Sequence, residues 1–271
     1  MQKIIIFTDL DGTLLDPVNY SFEAALPALE LIRSRGIPLV LCSSKTRAEL
    51  MACRQRLHNG HPFISENGGG IFIPQGYFAA PIEEAEPIDG YRLVALGTHH
   101  AEIMHRFAAL RERLGARVRG FTDMSAGEVA ALTGLGREDA ALAKQRDFDE
   151  PFVFEGAPDE GFLRAIDEAG LNWTQGRIYH IMGRHDKGRA VRRLKALYER
   201  EHGAVTSIGL GDSLNDLPML QSVDLPVLVR HEDGRCDARI GIAGLTKTRS
   251  PGPLGWNETV LQLLSNGNSE K

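Results

Sequence analysis

The chain has 271 residues, 42% of them hydrophobic and 25% charged, and a net charge of −5. Such a composition describes a soluble globular protein with room for one large or two modest domains, and the acidic balance speaks against nucleic acid or an anionic membrane as a partner. The three cysteines, Cys42, Cys53 and Cys236, lack CxxC spacing, which argues against a disulfide framework or a zinc site and for a reducing cytoplasm.

The first predicted element is a strand over Ile4 to Phe7, too short for a helix and β-branched, as a buried parallel strand is. It begins so early that no signal peptide is expected, and no run of about 18 apolar residues predicts a membrane span. The strand ends in Thr8-Asp9-Leu10-Asp11-Gly12. Side chains at the carboxyl end of such a strand face the crevice where open α/β sheets bind ligands. Alternation along extended backbone turns Asp9 and Asp11 to the same side. Two carboxylates so close require an offsetting charge, and a hard cation such as Mg²⁺ supplies one. A bare DxD, taken alone, reads rather as a strand followed by an acidic solvated turn.

Downstream, Ser21 is expected to cap a helix carrying Phe22, Ala25, Leu26, Leu29 and Ile32, stopped at Gly36. Pro38 to Leu41 is a second strand, ending in Cys42-Ser43-Ser44-Lys45. Two hydroxyls and a cation opening the next helix make either an anion site or an N-cap with solvated charges. A short strand from Phe63 to Ser65 runs into Glu66-Asn67-Gly68-Gly69-Gly70, a tight turn or a close backbone approach to a ligand, and then a strand over Ile71 to Ile73. Residues 81–90, rich in proline and acid, read as a linker. The stretch 85–182 then mixes elements: a helix over Ala101 to Leu114, strands over Arg117 to Phe121 and Pro151 to Glu155, a helix over Glu160 to Ala169, and a strand pair around Gln175-Gly176. His185 opens a helix to about His202. The apolar strand Val205 to Leu210 stops at Gly211-Asp212-Ser213-Leu214-Asn215-Asp216, a second carboxylate cluster at a strand end, which by itself fits an Asx turn equally well. Leu225 to Val229 and Glu258 to Leu264 close the chain as strand and helix, ahead of a tail from Asn266 expected to fray.

The ordered set DLDGT, then a serine, then a lysine, then GDSLND resembles the haloacid dehalogenase-like (HAD) phosphohydrolases. The resemblance implies an α/β chain: a Rossmann-like parallel-sheet core over 1–84 and 183–271, with an inserted α+β cap over 85–182. It implies Asp9 as nucleophile, Asp11 as general acid and base, and Ser43 and Lys187 as the groups that hold the phosphoryl oxygens. Mg²⁺ would be held by Asp9, the Asp11 carbonyl and Asp212, with Asp216 positioning Lys187 or the metal shell. An acid at position 11 favours phosphatase or phosphomutase over the related ion pumps and dehalogenases.

SSKTRAE, ENGGG, GFTDMSAGEVAALTGL, DEPFVFEG, RIYHIMGRHDKG and SPGPLGWNE resemble the mannosyl-3-phosphoglycerate phosphatase branch over nearly the whole chain. That branch implies dephosphorylation of a mannosyl- or glucosyl-3-phosphoglycerate to a compatible solute. Such a substrate carries a phosphate and a carboxylate. Lys45, Arg177, His180 and Arg184 are the candidate cations, each also readable as a surface or core residue. Thr122 and Asp123 are candidates on the cap side, and Ser44, Asn67, Gly68, Ser213 and Asn215 around the strand ends. A sucrose- or hexose-phosphate phosphatase, a phosphomutase and a silent sugar-phosphate binder are the rival readings. The partner is expected to be a phosphorylated sugar, with neither nucleic acid nor membrane, for a monomer or homodimer.

Overall fold

The computed structural model describes residues 3–266. In chain order the strands and helices begin with β1 (Lys3–Thr8), α1 (Leu26–Ser34), β2 (Leu39–Cys42), α2 (Arg47–Arg56), β3 (Phe63–Ser65) and β4 (Gly70–Pro74). There follow β5 (Glu86–Ile88), β6 (Tyr91–Ala95), α3 (His100–Leu114), β7 (Val118–Gly120), α4 (Ala126–Thr133), α5 (Arg137–Ala143) and β8 (Asp149–Phe154). The chain continues through α6 (Glu160–Glu168), β9 (Asn172–Gln175), β10 (Tyr179–Met182), α7 (Lys187–His202) and β11 (Val205–Gly211). It closes with α8 (Leu217–Leu220), β12 (Leu225–Arg230), β13 (Thr246–Pro251) and α9 (Gly252–Asn266). Among the described residues no helix is long and apolar enough to cross a membrane.

The core is a nine-stranded sheet in the order β13-β12-β11-β1-β2-β3-β4-β6-β5, parallel from β13 through β3 and antiparallel beyond. Alternation along β1 sends Ile6 to a cluster with Leu29, Leu50 and Trp256, and Ile5 and Phe7 to a cluster with Val191, Leu194 and Tyr198. Both faces are therefore buried, which is why β1 reads as an unbroken apolar run. Trp256 donates its indole N–H to Thr8 Oγ1 at 3.0 Å, and Asn257 Oδ1 accepts the Ala28 N–H at 2.9 Å, so the SPGPLGWNE segment holds β1 and α1 in place.

The cap is an antiparallel sheet, β7-β8-β10-β9. Helices α3 and α6 pack on one face around Phe107, Phe152 and Phe162. The other face turns toward the core, with His180 in register with Pro151.

Three expectations differ from the structure. The core reaches past residue 84: β6 pairs with β4 from Gly70↔Ala95 to Pro74↔Tyr91, and β5 pairs with β6, so residues 86–95 extend the core sheet rather than begin the cap. The helix expected from Ser21 begins at Leu26 after a 3₁₀ turn at Glu23–Ala25, since Pro27 suits a first turn. The stretch 126–143 folds as α4 and α5, which no periodicity had indicated.

Candidate active site

Strands β2, β1 and β11 are neighbours and parallel, so their carboxyl ends open on one crevice. Asp9 and Asp11 leave β1, Ser43 to Lys45 leave β2, and Asp212 to Asp216 leave β11. Lys187 enters from the first turn of α7, capped by Asp186, whose carboxylate accepts the Arg189 N–H at 2.7 Å. Gly12, at φ +78, allows the turn that follows Asp11.

Lys187 is 0% exposed and reaches Asp9 Oδ1 at 2.6 Å and Asp216 Oδ1 at 2.6 Å. Asp216 accepts the backbone N–H groups of Asp212 and Ser213 on its other oxygen, at 3.0 and 3.2 Å. Asp212 takes the Thr13 hydroxyl at 3.2 Å, and its carbonyl takes His231 Nε2 at 2.9 Å.

Burial pushes the Asp9 carboxyl well above its usual range, the neighbouring Asp216 pushes the same way, and Lys187 opposes both. Burial also raises Asp212, against its bond to His231. Burial alone would depress the Lys187 ammonium, but Asp216 and Asp9 reverse that and hold its pKa above the ordinary value. Asp9, Asp212 and Asp216 each offer an oxygen, all within 4.8 Å of one another. Three hard donors face one ammonium, and a divalent cation fits that donor set and that charge.

Asp11 is held differently. Its Oδ2 pairs with Lys45 at 2.8 Å, while Oδ1 is buried without a hydrogen-bond partner. Lys45 also lies 3.7 Å from Glu49, which closes a capping box on Thr46 at the start of α2. Ser43 is buried and accepts the Lys45 N–H at 3.3 Å.

The cap roofs these groups over a cavity of about 660 Å³, lined among others by Asp9, Asp11, Ser43, Lys45, Arg177 and His180. Ser44, Asp212, Ser213 and Asn215 also face it, as does apolar surface from Phe121, Val153 and Ile178. His180 Nδ1 bonds Asp149 Oδ2 at 2.8 Å, and Arg146 bonds Asp149 Oδ1 at 3.1 Å and the Ser44 carbonyl at 2.8 Å.

Thr122, Asp123 and Arg184 do not line the cavity. The Thr122 N–H donates to Glu150 at 2.7 Å, Asp123 is taken by Arg111 and by the Gly120 N–H, and Arg184 is exposed where the chain returns from the cap. Asn67 and Gly68 do not line the cavity either. A Cβ on Gly68 would stand 2.2 Å from the Asp186 carbonyl, and Asn67 bridges Asn215 at 3.2 Å to Asp149 at 3.3 Å.

Sequence reasoning missed Tyr20, Arg146, Asp149 and His231. His231 follows β12 directly, so the strand-end rule that located Asp9 and Asp212 also points to it. Arg146 and Asp149 come from the loop and first residue of β8, and nothing local marks them.

The haloacid dehalogenase-like hydrolase family matches residues 6–86 of the chain. A glucosyl-3-phosphoglycerate/mannosyl-3-phosphoglycerate phosphatase of Methanococcoides burtonii is 44% identical over 99% of this chain and 100% of its own. A protein of the same name from Persephonella marina is 41% identical over 97% of each chain. The sucrose-phosphatase of Synechocystis sp. PCC6803, solved with sucrose and phosphate, shares the fold with a TM-score of 0.64, at 12% identity over 97% of this chain and 98% of that one.

Proposed function

We infer the reaction from one premise: the chain belongs to the glucosyl-3-phosphoglycerate/mannosyl-3-phosphoglycerate phosphatase family of haloacid dehalogenase-like hydrolases. It is a phosphoric monoester hydrolase of the sugar phosphatase kind. Its substrate, on this reading, is mannosyl-3-phosphoglycerate or glucosyl-3-phosphoglycerate, released as glycosylglycerate and orthophosphate. The observation that carries the chemistry is the buried Lys187 bonded to Asp9, two residues before an Asp11 with a free oxygen, under a roofed cavity.

An Asp9 oxygen attacks phosphorus, and the ester P–O bond breaks as the departing glycerate oxygen takes a proton from Asp11. Asp11, now a carboxylate, takes a proton from the water that attacks phosphorus. The P–O bond to Asp9 breaks, orthophosphate leaves, and both aspartates are restored. Lys187 holds a phosphoryl oxygen and keeps Asp9 anionic, Asp216 fixes Lys187, and the Ser43 hydroxyl donates to a second phosphoryl oxygen. Mg²⁺ held by Asp9, the Asp11 carbonyl and Asp212, with Asp216 beside them, would neutralise phosphoryl charge so that a carboxylate can approach an anion. On the cap side Arg177 and His180 take the substrate's carboxylate and hydroxyls.

Orthophosphate release from mannosyl- and glucosyl-3-phosphoglycerate, and from sucrose and hexose phosphates, tests this, with Mg²⁺ and with chelator. The expected result is Mg²⁺-dependent release from a glycosyl phosphoglycerate, lost in Asp9→Asn. Turnover of the other sugar phosphates alone would overturn the substrate. An isomerised sugar phosphate formed only with a sugar bisphosphate activator, without orthophosphate, would mean a mutase.

A further inference from the structure

We propose that Tyr20 is a positioning residue for the general acid, and that it makes the alignment of Asp11 depend on closure of the cap. The proposal rests on the phosphatase reading above, but not on which sugar the substrate carries.

Tyr20 lies in the loop after β1, at φ +57. A bulky side chain in the left-handed region is an uncommon and strained arrangement that persists only where the surroundings hold it. Two partners fix its backbone: its N–H bonds the Asp16 carbonyl at 3.0 Å, and its carbonyl accepts from Arg56 at 3.2 Å. Its ring faces the core, with Lys45 Nζ 5.2 Å from the centroid, within reach of a cation–π contact. That same ammonium grips Asp11 Oδ2 at 2.8 Å, Oδ1 is buried without a hydrogen-bond partner, and Asp11 lines the cavity. A clamp on one oxygen fixes the orientation in which the carboxyl can hand on its proton.

The hydroxyl faces the other way. It donates to the Thr133 carbonyl at 3.3 Å and accepts from Arg177 at 3.3 Å, and Arg177 reaches the same carbonyl at 3.1 Å. Thr133 ends α4, and Arg177 sits in the turn between β9 and β10, so both hydroxyl partners belong to the cap. Tyr20 is thus held by the cap at one end and covers the clamp on the acid at the other. When the cap lifts, both hydroxyl partners leave and the ring beside the Lys45–Asp11 pair loses its brace. Proton delivery from Asp11 to the leaving oxygen is then efficient only under a closed cap.

The leaving group separates this role from a structural one. A glycerate or other alkyl oxygen needs a proton to depart, whereas p-nitrophenolate departs without one. The experiment measures kcat on glycosyl-3-phosphoglycerate, glycerol 3-phosphate and p-nitrophenyl phosphate for the wild type, Tyr20→Phe and Tyr20→Gly. Glycine suits φ +57, so Tyr20→Gly is expected to fold, which thermal unfolding checks. Tyr20→Phe keeps the ring and should lower alkyl-ester turnover about fivefold. Tyr20→Gly should lower it about fiftyfold, part of the 10²–10⁴ that a placed acid contributes. The ratio of alkyl to p-nitrophenyl turnover should fall in both variants. Parallel losses on all substrates, or no loss on any, would overturn the role of Tyr20. A wild type that hydrolyses none of the three would overturn the phosphatase reading, and this proposal with it.

Discussion

Lys187 carries one positive charge between two buried carboxylates, each 2.6 Å away. Lys187→Met would leave Asp9 and Asp216 facing each other without a counter-charge. Removing one partner of a buried ion pair costs about 3–5 kcal/mol, so chemical denaturation should show a loss of that order, and orthophosphate release should fall at least about a hundredfold. Asp149 gives a pH signature. Burial pushes its carboxyl up, but Arg146 and His180 outweigh burial and hold it below the ordinary value of 3.8. A depressed folded pKa contributes stability that is fully present above the unfolded pKa and is lost as pH falls toward the folded one. Unfolding free energy should therefore decline more steeply below about pH 4 in the wild type than in Asp149→Asn. Equal slopes would mean that Asp149 is not held as an anion. The apolar patterns of β1, α7 and β11 placed Asp9, Asp11, Lys187 and Asp212 at element ends, and only the ordered set of motifs, through its family resemblance, singled them out. Tyr20, Arg146 and Asp149 could not be read from sequence, because the partners that tie them to the site, Lys45 and Thr133 for Tyr20, Ser44 for Arg146 and His180 for Asp149, lie more than twenty residues away in sequence and no spacing marks such contacts.

The chain passes between core and cap at two places, after β6 and after β10, and Glu66 ties the core to the cap at a third point, the start of β8. It sits at φ +47 in the turn after β3, and its carboxylate accepts the N–H groups of Asp147, Phe148 and Asp149 at 3.0, 2.7 and 2.9 Å. Beside it, a Cβ on Gly69 would stand 2.3 Å from Phe148 Cβ, so the ENGGG turn is glycine-rich because chain packs on chain there. Glu66→Ala would leave these donors buried without partners and should destabilise the fold by roughly 2–4 kcal/mol, read as a lower denaturation midpoint at an unchanged slope. An effect under about 0.5 kcal/mol would mean that water replaces the carboxylate. Elements with a strong pattern, β1, α3, α7 and β11, were legible within a residue or two. The edge strands were not. Glu86-Pro87-Ile88 carries a proline that only an edge tolerates, and β13 spells Thr-Lys-Thr-Arg-Ser-Pro with no apolar alternation. Helices α4 and α5 are short and separated by Gly134-Leu135-Gly136, although the box of Ser125 and Glu128 marks where α4 begins.

For the whole molecule, a net charge of −5 coexists with a site built for an anion. The buried Lys187, the cavity-facing Arg177 and a divalent cation would supply locally what the surface field does not. The cap closes the cavity from one side by the contacts of Arg146 with Ser44 and of Thr46 with Leu142, at 2.8 and 3.0 Å. On the proposed reaction, Asp9 carries the phosphoryl group between the two half-reactions. Rapid acid quench of the enzyme with ³²P-labelled glycosyl-3-phosphoglycerate, followed by peptide mapping, tests it. The account predicts transient label on the peptide containing Asp9, removable by hydroxylamine and absent in Asp9→Asn. Orthophosphate release with no labelled protein at any quench time, or label on another residue, would contradict it.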